Sequence, residues 1–432
     1  MKGASNGAGK IGKPTWTALI LLGFSGQLAW AVENQFFNTF LYDKITPDPR
    51  PISWMVAITA VVALVTTLLM GTLSDRTRSR WGRRRPFMLA GYILWGLFTA
   101  AFPFAAFFQP VALGVAMAIL FDSLMSFCGS TANDATFNAW VTDITTTENR
   151  GRTLGILEIL KWVALLITYG GAGLAVTAFG YFTFFYLIGG LVIAMGIVGG
   201  LLAGEPPLPR EAPTDGFFRQ IAGNFRWESL RTHRTLLLIL VSVMLWNVAF
   251  NVFFPYLMIY LQHFLKVDTL SSSLVVGISI LVGGILMGYP LGLLADRWGR
   301  RPVALLAVVL EFAGLFAFSF ARAVPALILT GICWILPMAA WSIATSAWEK
   351  DLFPEEGRAQ FQGYEILFRV TLTMIPGPLI GGWIASRWGI PTMLDGKSGF
   401  IPTPLIFQVS AFATLLAAIP LLMTREGARP AR

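Results

Sequence analysis

The sequence predicts an all-α membrane protein with twelve transmembrane helices in two pseudo-symmetric six-helix bundles. Three observations carry that prediction. The 432-residue chain is 55% hydrophobic and 13% charged, where a soluble domain carries about 25% charged residues. Apolar runs of roughly 20 residues, the length a helix needs to cross a bilayer core, recur from end to end. The second half of the chain also repeats rare residues of the first, in order. A mean hydropathy of +0.66 argues against a water-soluble globule. The net charge of +9 does not indicate nucleic acid, because the cations sit in short loops between apolar runs.

The apolar runs place α1 at 15–42, α2 at 52–73, α3 at 86–108, α4 at 110–140, α5 at 153–178 and α6 at 181–202. After a polar stretch come α7 at 236–263, α8 at 272–294, α9 at 302–321, α10 at 324–348, α11 at 361–387 and α12 at 400–423. The expected organisation is a tail 1–14, a bundle 15–202, a linker 203–235, a second bundle 236–423 and a tail 424–432. The loops and tails on the side of the termini hold 24 Lys and Arg, and the opposite side holds six. That bias predicts that both termini and the linker are cytoplasmic, in an inner or plasma membrane. Ala29-Trp30-Ala31 has the form of a signal-peptide cleavage site. The apolar run continues past it to Tyr42, so α1 is expected to be retained. Cys128 and Cys333 stand singly in apolar runs, and His233 and His263 are the only histidines. No metal or other cofactor is expected.

The repeat is specific. Ala139-Trp140 and Asp143 recur 208 residues later as Ala347-Trp348 and Asp351. Arg150, Gly155 and Lys161 recur at the same offset as Arg358, Gly363 and Arg369. Trp30 and Val32 answer to Trp246 and Val248. Two parallel six-helix halves form a transporter architecture, with a solute held at their interface near the bilayer midplane.

Eight charged residues fall inside apolar helices: Glu33, Asp122, Asp134, Glu158, Lys161, Glu311, Glu365 and Arg369. An ionised Asp, Lys or Arg at mid-helix costs roughly 2.5–3.5 kcal/mol. These residues should therefore pair, carry a proton or face a water-filled cavity. Asp134 and Lys161 each lie ~13 Å from the cytoplasmic ends of their helices, and Glu33 ~15 Å from the outer end of α1. An Asp134–Lys161 pair is expected between α4 and α5, with Glu33 close by. These three are the proton-coupling candidates, because a low dielectric favours a neutral carboxyl. A static ion pair is the alternative. Glu158 and Glu365 share helix faces with Lys161 and Arg369, so Glu158 competes with Asp134 for Lys161. Asp122 reads as nearer the outer surface.

The solute-binding candidates are polar or aromatic groups on inward faces. They are Gln27, Trp30 and Asn34 on α1, Asn138 on α4, Asn247 and Asn251 on α7, Trp341 on α10 and Arg369 on α11. Amides bond hydroxyls directionally, indole faces stack on sugar C–H surface, and a guanidinium grips hydroxyls or a carboxylate. Anchoring at the membrane interface is the alternative for any one tryptophan.

Gly71-Thr-Leu-Ser-Asp75-Arg76 with Trp81-Gly82-Arg83-Arg84 follows α2, and Gly292-Leu-Leu-Ala-Asp296-Arg297-Trp298-Gly299-Arg300-Arg301 follows α8. At these loops the sequence resembles the major facilitator superfamily over nearly its whole length. The first copy is four residues longer, from Ser74 to Phe87. With Ala31-Val32-Glu33 and an acid on α4 followed by the Asp143 loop, it resembles the glycoside–pentoside–hexuronide:cation symporters, especially their sucrose-transporter-like branch. The resemblance implies a monomeric secondary transporter that imports a sugar or glycoside by alternating access, with α1, α4, α7 and α10 lining the cavity and α9, with Glu311, at the periphery. It implies cytoplasmic gates at Asp75 and Asp296, which cap or pair across the halves with Arg83, Arg300, Asp143 and Asp351. Sodium-coupled members carry carboxylates on α2, and 52–73 here has none, so coupling to protons is expected. The main alternative is a proton-driven exporter of amphipathic compounds. Such exporters carry Gly-Pro-x-x-Gly-Gly in α5, whereas this chain has it at Gly377–Gly382 in α11. A membrane enzyme is not expected, because no phosphate loop or catalytic constellation is present. A transport-incompetent sensor is the remaining alternative.

Overall fold

The computed structural model describes residues 11–146, 149–205, 227–353 and 358–424. Both expected tails and most of the expected linker lie outside them. Eleven helices are long and apolar enough to span a bilayer. The first four are α1 (Lys13–Ile45), α2 (Pro49–Arg76), α3 (Arg85–Phe107) and α4 (Val111–Ile144). The fifth, Arg150–Leu202, is too long for one crossing. It breaks at Gly180, whose φ of 77° and ψ of 167° lie in a region that favours glycine, giving α5 (150–179) and α6 (181–202). The second half supplies α7 (Arg234–Phe264), α8 (Thr269–Trp298), α9 (Arg300–Phe318), α10 (Val324–Leu352), α11 (Gly363–Arg387) and α12 (Leu405–Met423). Twelve crossings result, with both ends of the bundle on one face.

Within the first half, α6 packs on α1 and α3, while α4 packs on α2 and α3. Within the second, α7 packs on α11 and α12, and α10 on α8 and α9. The halves meet through α1 with α7, α2 with α11, and α5 with α8. At the last crossing the backbones touch. A Cβ on Gly277 would lie 2.6 Å from the Cα of Gly170, so no side chain fits there. The Gly377–Gly382 stretch of α11 serves the same purpose. Gly377 and Gly381 press on Asn251 and Val252 of α7, which is close helix packing by small residues.

One element differs from the sequence reading. Between α11 and α12 the chain forms an antiparallel hairpin of β1 (Ile390–Leu394) and β2 (Lys397–Ile401). Its turn residues, Asp395 and Gly396, both have positive φ, the conformation that Asp-Gly favours in a two-residue hairpin turn. Consequently α12 starts at Leu405 rather than 400.

The hairpin helps to close the face opposite the termini. Phe400 N–H donates to the Pro47 carbonyl (2.9 Å) and Tyr42 Oη to the Phe400 carbonyl (2.9 Å). His263 Nε2 at the end of α7 lies 2.8 Å from Asp43 Oδ1 at the end of α1, and Tyr181 Oη donates to Asp43 Oδ2 (2.7 Å). Tyr256 Oη of α7 donates to the Pro49 carbonyl at 3.5 Å. Among the described residues, the hydrogen bonds that join the halves gather on this far face. These contacts hold the two halves together on the far face.

Candidate functional site

Three intramembrane charges sit in widened, π-type turns: Glu33 in Glu33–Phe37 of α1, Asp134 in Ser130–Phe137 of α4, and Arg369 in Leu367–Thr371 of α11. Such turns frequently mark functional sites. The local sequence explains them. A widened turn frees carbonyl oxygens, and hydroxyl or amide side chains nearby bond back to them. Thr136 Oγ1 donates to the Thr131 and Ala132 carbonyls (2.7 and 2.8 Å). Thr373 does so to Arg369 and Val370 (3.0 and 2.7 Å), and Thr39 to Gln35 (2.9 Å).

The acids cluster in the first half. Ser126 Oγ donates to Glu33 Oε1 (2.8 Å). Asp122 is buried one turn from Ser126 on the same face of α4, which places it beside Glu33. Asp134 accepts from Ser130 Oγ and Asn133 Nδ2 (3.1 Å each). Tyr92 supports Asn133 from behind (3.2 Å). Asp134 does not pair with Lys161. The ammonium bonds Glu158 at 3.1 Å instead, with both side chains substantially exposed. The reason is local: a partner three residues away on one helix face needs no tertiary arrangement.

The second half holds the other cation. Arg369 Nη2 bonds Glu349 Oε2 at 2.7 Å, and its Nε lies 3.7 Å from Glu365. The Glu349 side chain is fully buried, yet sequence reasoning passed it over as the polar end of α10.

Amides on α1 and α7 bond back along their own helices. Asn34 Nδ2 donates to the Trp30 carbonyl (2.7 Å), Asn247 Nδ2 to Val243 (2.8 Å) and Asn251 Nδ2 to Asn247 (2.8 Å). Each donation fixes the amide, and all three side chains are half-buried. Gln27 and Trp30 are half-buried as well, while Asn138 is exposed and donates to the Asp134 carbonyl at 3.3 Å. Trp341 does not line the site. It is buried behind Trp246, stacked at 5.8 Å. Trp246 Nε1 in turn donates to Glu311 (3.1 Å). Glu311 is thus buried against α7 rather than idle at the periphery.

Asp75, Arg83, Arg84 and Asp143 pair within the first half, and Arg300 and Asp351 within the second. Asp143 takes Arg83 at 2.7 Å and Arg84 at 3.3 Å, and Arg84 also pairs with Asp75. Arg300 pairs with Asp351 and donates to the Ala347 carbonyl at 3.0 Å. Asp296 is exposed. Glu205, which sequence reasoning missed, accepts the backbone N–H groups of Arg83 and Arg84 (2.9 and 2.6 Å) and that of Arg85. The repeat extends to helix ends. Arg85 donates to the last carbonyls of α6 at Gly200 and Leu201, as Arg301 does to those of α12 at Leu421 and Leu422.

The sequence profile of the Major Facilitator Superfamily matches residues 18–290 and 281–432. The chain belongs to this superfamily. It is a multi-pass membrane protein with the superfamily's fold. The chain is 36% identical over 96 residues to an uncharacterized symporter of Synechocystis sp., covering 22% of this chain and 15% of that protein. It is 29% identical over 218 residues to the anhydromuropeptide permease of Escherichia coli, covering 48% and 43%. The chain thus spans less than half the length of these relatives. In fold it resembles the nucleoside transporter NupG in a mutant form (TM-score 0.73, 14% identity, covering 95% and 99% of the two chains). It resembles the D-xylose-proton symporter likewise (TM-score 0.67, 14% identity, 94% and 97%).

Of two intramembrane acids that the sequence reading did not place in the site, Asp122 and Glu349, the first had a readable signal. Asp122 is eleven residues into α4, ~16 Å from that end, which matches the depth of Glu33 on α1. Glu349 had only a weak one: the residue 208 positions earlier is Val141, so the repeat does not reveal it.

Proposed function

We propose that this protein is a secondary transporter that imports a sugar or glycoside coupled to protons, as a member of the sucrose-transporter-like branch of the glycoside–pentoside–hexuronide symporters. Its termini are cytoplasmic, and the latched face is the outward one. The observation that carries the reading is the division of the membrane interior. Fixed, half-buried amides stand on α1 and α7, with Trp30 beside them, between an acid cluster in the first half and Arg369 in the second. Fixed amides with free oxygens suit a solute rich in hydroxyls. The acids supply proton carriers, Asp134 and Glu33 first among them. The charge bias of 24 to six supports the orientation. Relatives named as a symporter and as an anhydromuropeptide permease are in keeping with it. The gate candidates Asp75, Arg83, Asp143, Asp296, Arg300 and Asp351 act by releasing pairs within each half as the inward face closes. An exporter of amphipathic compounds is the weaker reading, since the amide rows favour a polar solute.

The test is reconstitution in liposomes that enclose a pH-sensitive dye, with a panel of neutral mono- and disaccharides, hexuronides and sodium salts. Sugar-dependent proton entry that Asp134→Asn abolishes is the expected result. Sugar entry driven by sodium alone would refute proton coupling. No response to any sugar would refute the sugar reading and favour the exporter.

A further inference from the structure

Glu33 and Asp122 form the most unusual contact in the membrane interior. Ser126 of α4, which bonds Glu33 of α1, lies four residues from Asp122 on the same helix face and so brings the two carboxyl groups together. Both are buried, Asp122 at 1% exposure and Glu33 at 9%. Ser126 satisfies one oxygen of Glu33 (2.8 Å). Glu33 Oε2 and Asp122 Oδ1 are buried without a hydrogen-bond partner.

Among the described residues, the surroundings supply no countercharge. The charged neighbours of Glu33 are Asp122 and Asp134, and that of Asp122 is Glu33; all are acids. The neighbouring helices add none at this depth. The spans of α2, α3 and α6 contain no ionisable cation between residues 51–75, 86–107 and 181–202. On α5, Lys161 is held by Glu158. A hydrogen bond between two carboxyl groups requires a proton on one of them, and two buried carboxylates in contact repel strongly. Two carboxyls and one hydroxyl are the groups that a shared proton needs.

We propose that Glu33 and Asp122 are a proton-binding site that holds one proton between the two carboxyl groups, bridging α1 and α4. The proton enters from water, converting two carboxylates to a carboxyl–carboxylate pair. It returns to water when α1 and α4 move apart and the shared hydrogen bond breaks. The widened turn that begins at Glu33 supplies the give for that movement, because its backbone bonds are already displaced. Asp134, held by Ser130 and Asn133 further along α4, passes protons to and from the pair. This inference rests on the proton-coupled reading above.

The experiment separates the two. Infrared spectra of the protein in nanodiscs, in H2O and D2O across a pH series, report protonated carboxyl groups without any solute. Wild type is expected to show a hydrogen-bonded carboxyl band that shifts in D2O. Glu33→Gln and Asp122→Asn should each lose it, since the amide donates to the remaining carboxylate in the proton's place. Asp134→Asn should retain it. A band that survives both pair variants, or is absent from wild type, overturns the proposal. Each variant removes one carboxyl, so either one that folds suffices. In liposomes with an accepted solute, both variants should lose accumulation driven by a pH gradient while exchange of labelled solute persists. Gradient-driven accumulation that survives in both would overturn the site. Wild type that accepts no solute at all would sink the transport reading and leave the infrared result standing.

Discussion

Arg369 shows how a single side chain in this membrane interior is held by more than one neighbour. Its guanidinium binds the fully buried Glu349 of α10 at 2.7 Å and approaches Glu365 one turn away on its own helix. Removing one partner of a buried pair strands the other charge, at a cost of about 3–5 kcal/mol. Arg369→Ala is therefore expected to destabilise the protein by about that amount, read as a lower melting midpoint in detergent. Glu349→Gln keeps a hydrogen-bond acceptor and should cost less. Equal losses would mean that the pair contributes only packing. The spacing of Glu365 and Arg369 was legible because helical periodicity is local. The Glu349 contact was not, because it depends on how α10 and α11 pack. The same distinction explains Lys161. Its intrahelical partner is readable from spacing, and its separation from Asp134 is not.

Helix ends and helix crossings carry the next set of forces. Glu205 gathers three backbone N–H groups at the start of α3, where unpaired donors and the helix dipole favour an anion. Glu205→Ala removes that cap and should cost about 1 kcal/mol, measured by thermal unfolding. No change would show that water caps the helix equally well. At the crossing of α5 and α8, Gly277→Leu has no space beside Gly170. Overpacking of this kind costs about 1–3 kcal/mol. It should also lower the rate of solute exchange, because these helices belong to different halves; an unchanged rate would place the moving contact elsewhere. The α5/α6 break illustrates what a sequence shows about elements. The interruption near Gly180 was legible from run length alone, whereas the hairpin at 390–401 was hidden. Its strands are short and follow an apolar helix, and only Asp395-Gly396 marks the turn.

Across the whole molecule, the contacts that join the halves on the far face act as a latch. Asp43 stands at the centre of the latch, between His263 of α7 and Tyr181 of α6. A hydrogen bond to a charged group contributes about 1.5–3 kcal/mol, and 1.4 kcal/mol is a tenfold change in an equilibrium. His263→Ala is expected to shift the population by about tenfold toward opening of the far face. Labelling of Asn138→Cys from the terminal side measures it: slower labelling in the His263→Ala background is the expected outcome, and an unchanged rate would assign closure to the hairpin contacts at Tyr42, Pro47 and Phe400 instead.

By itself the sequence determined the class of this protein: its span count, the inner repeat, the loop motifs that mark the superfamily and the charges too costly to leave in lipid. Those features follow from composition and helical period, which act over a few turns of chain. Tertiary structure decided the pairings. It put Asp122 against Glu33, took Lys161 from Asp134, set Trp341 behind Trp246 and paired Asp143 and Asp351 with arginines of their own halves. Each of these contacts joins residues whose distance depends on the rotation of one helix about its axis relative to another. Widened turns change that rotation by a fraction of a turn, and apolar run length carries no record of it.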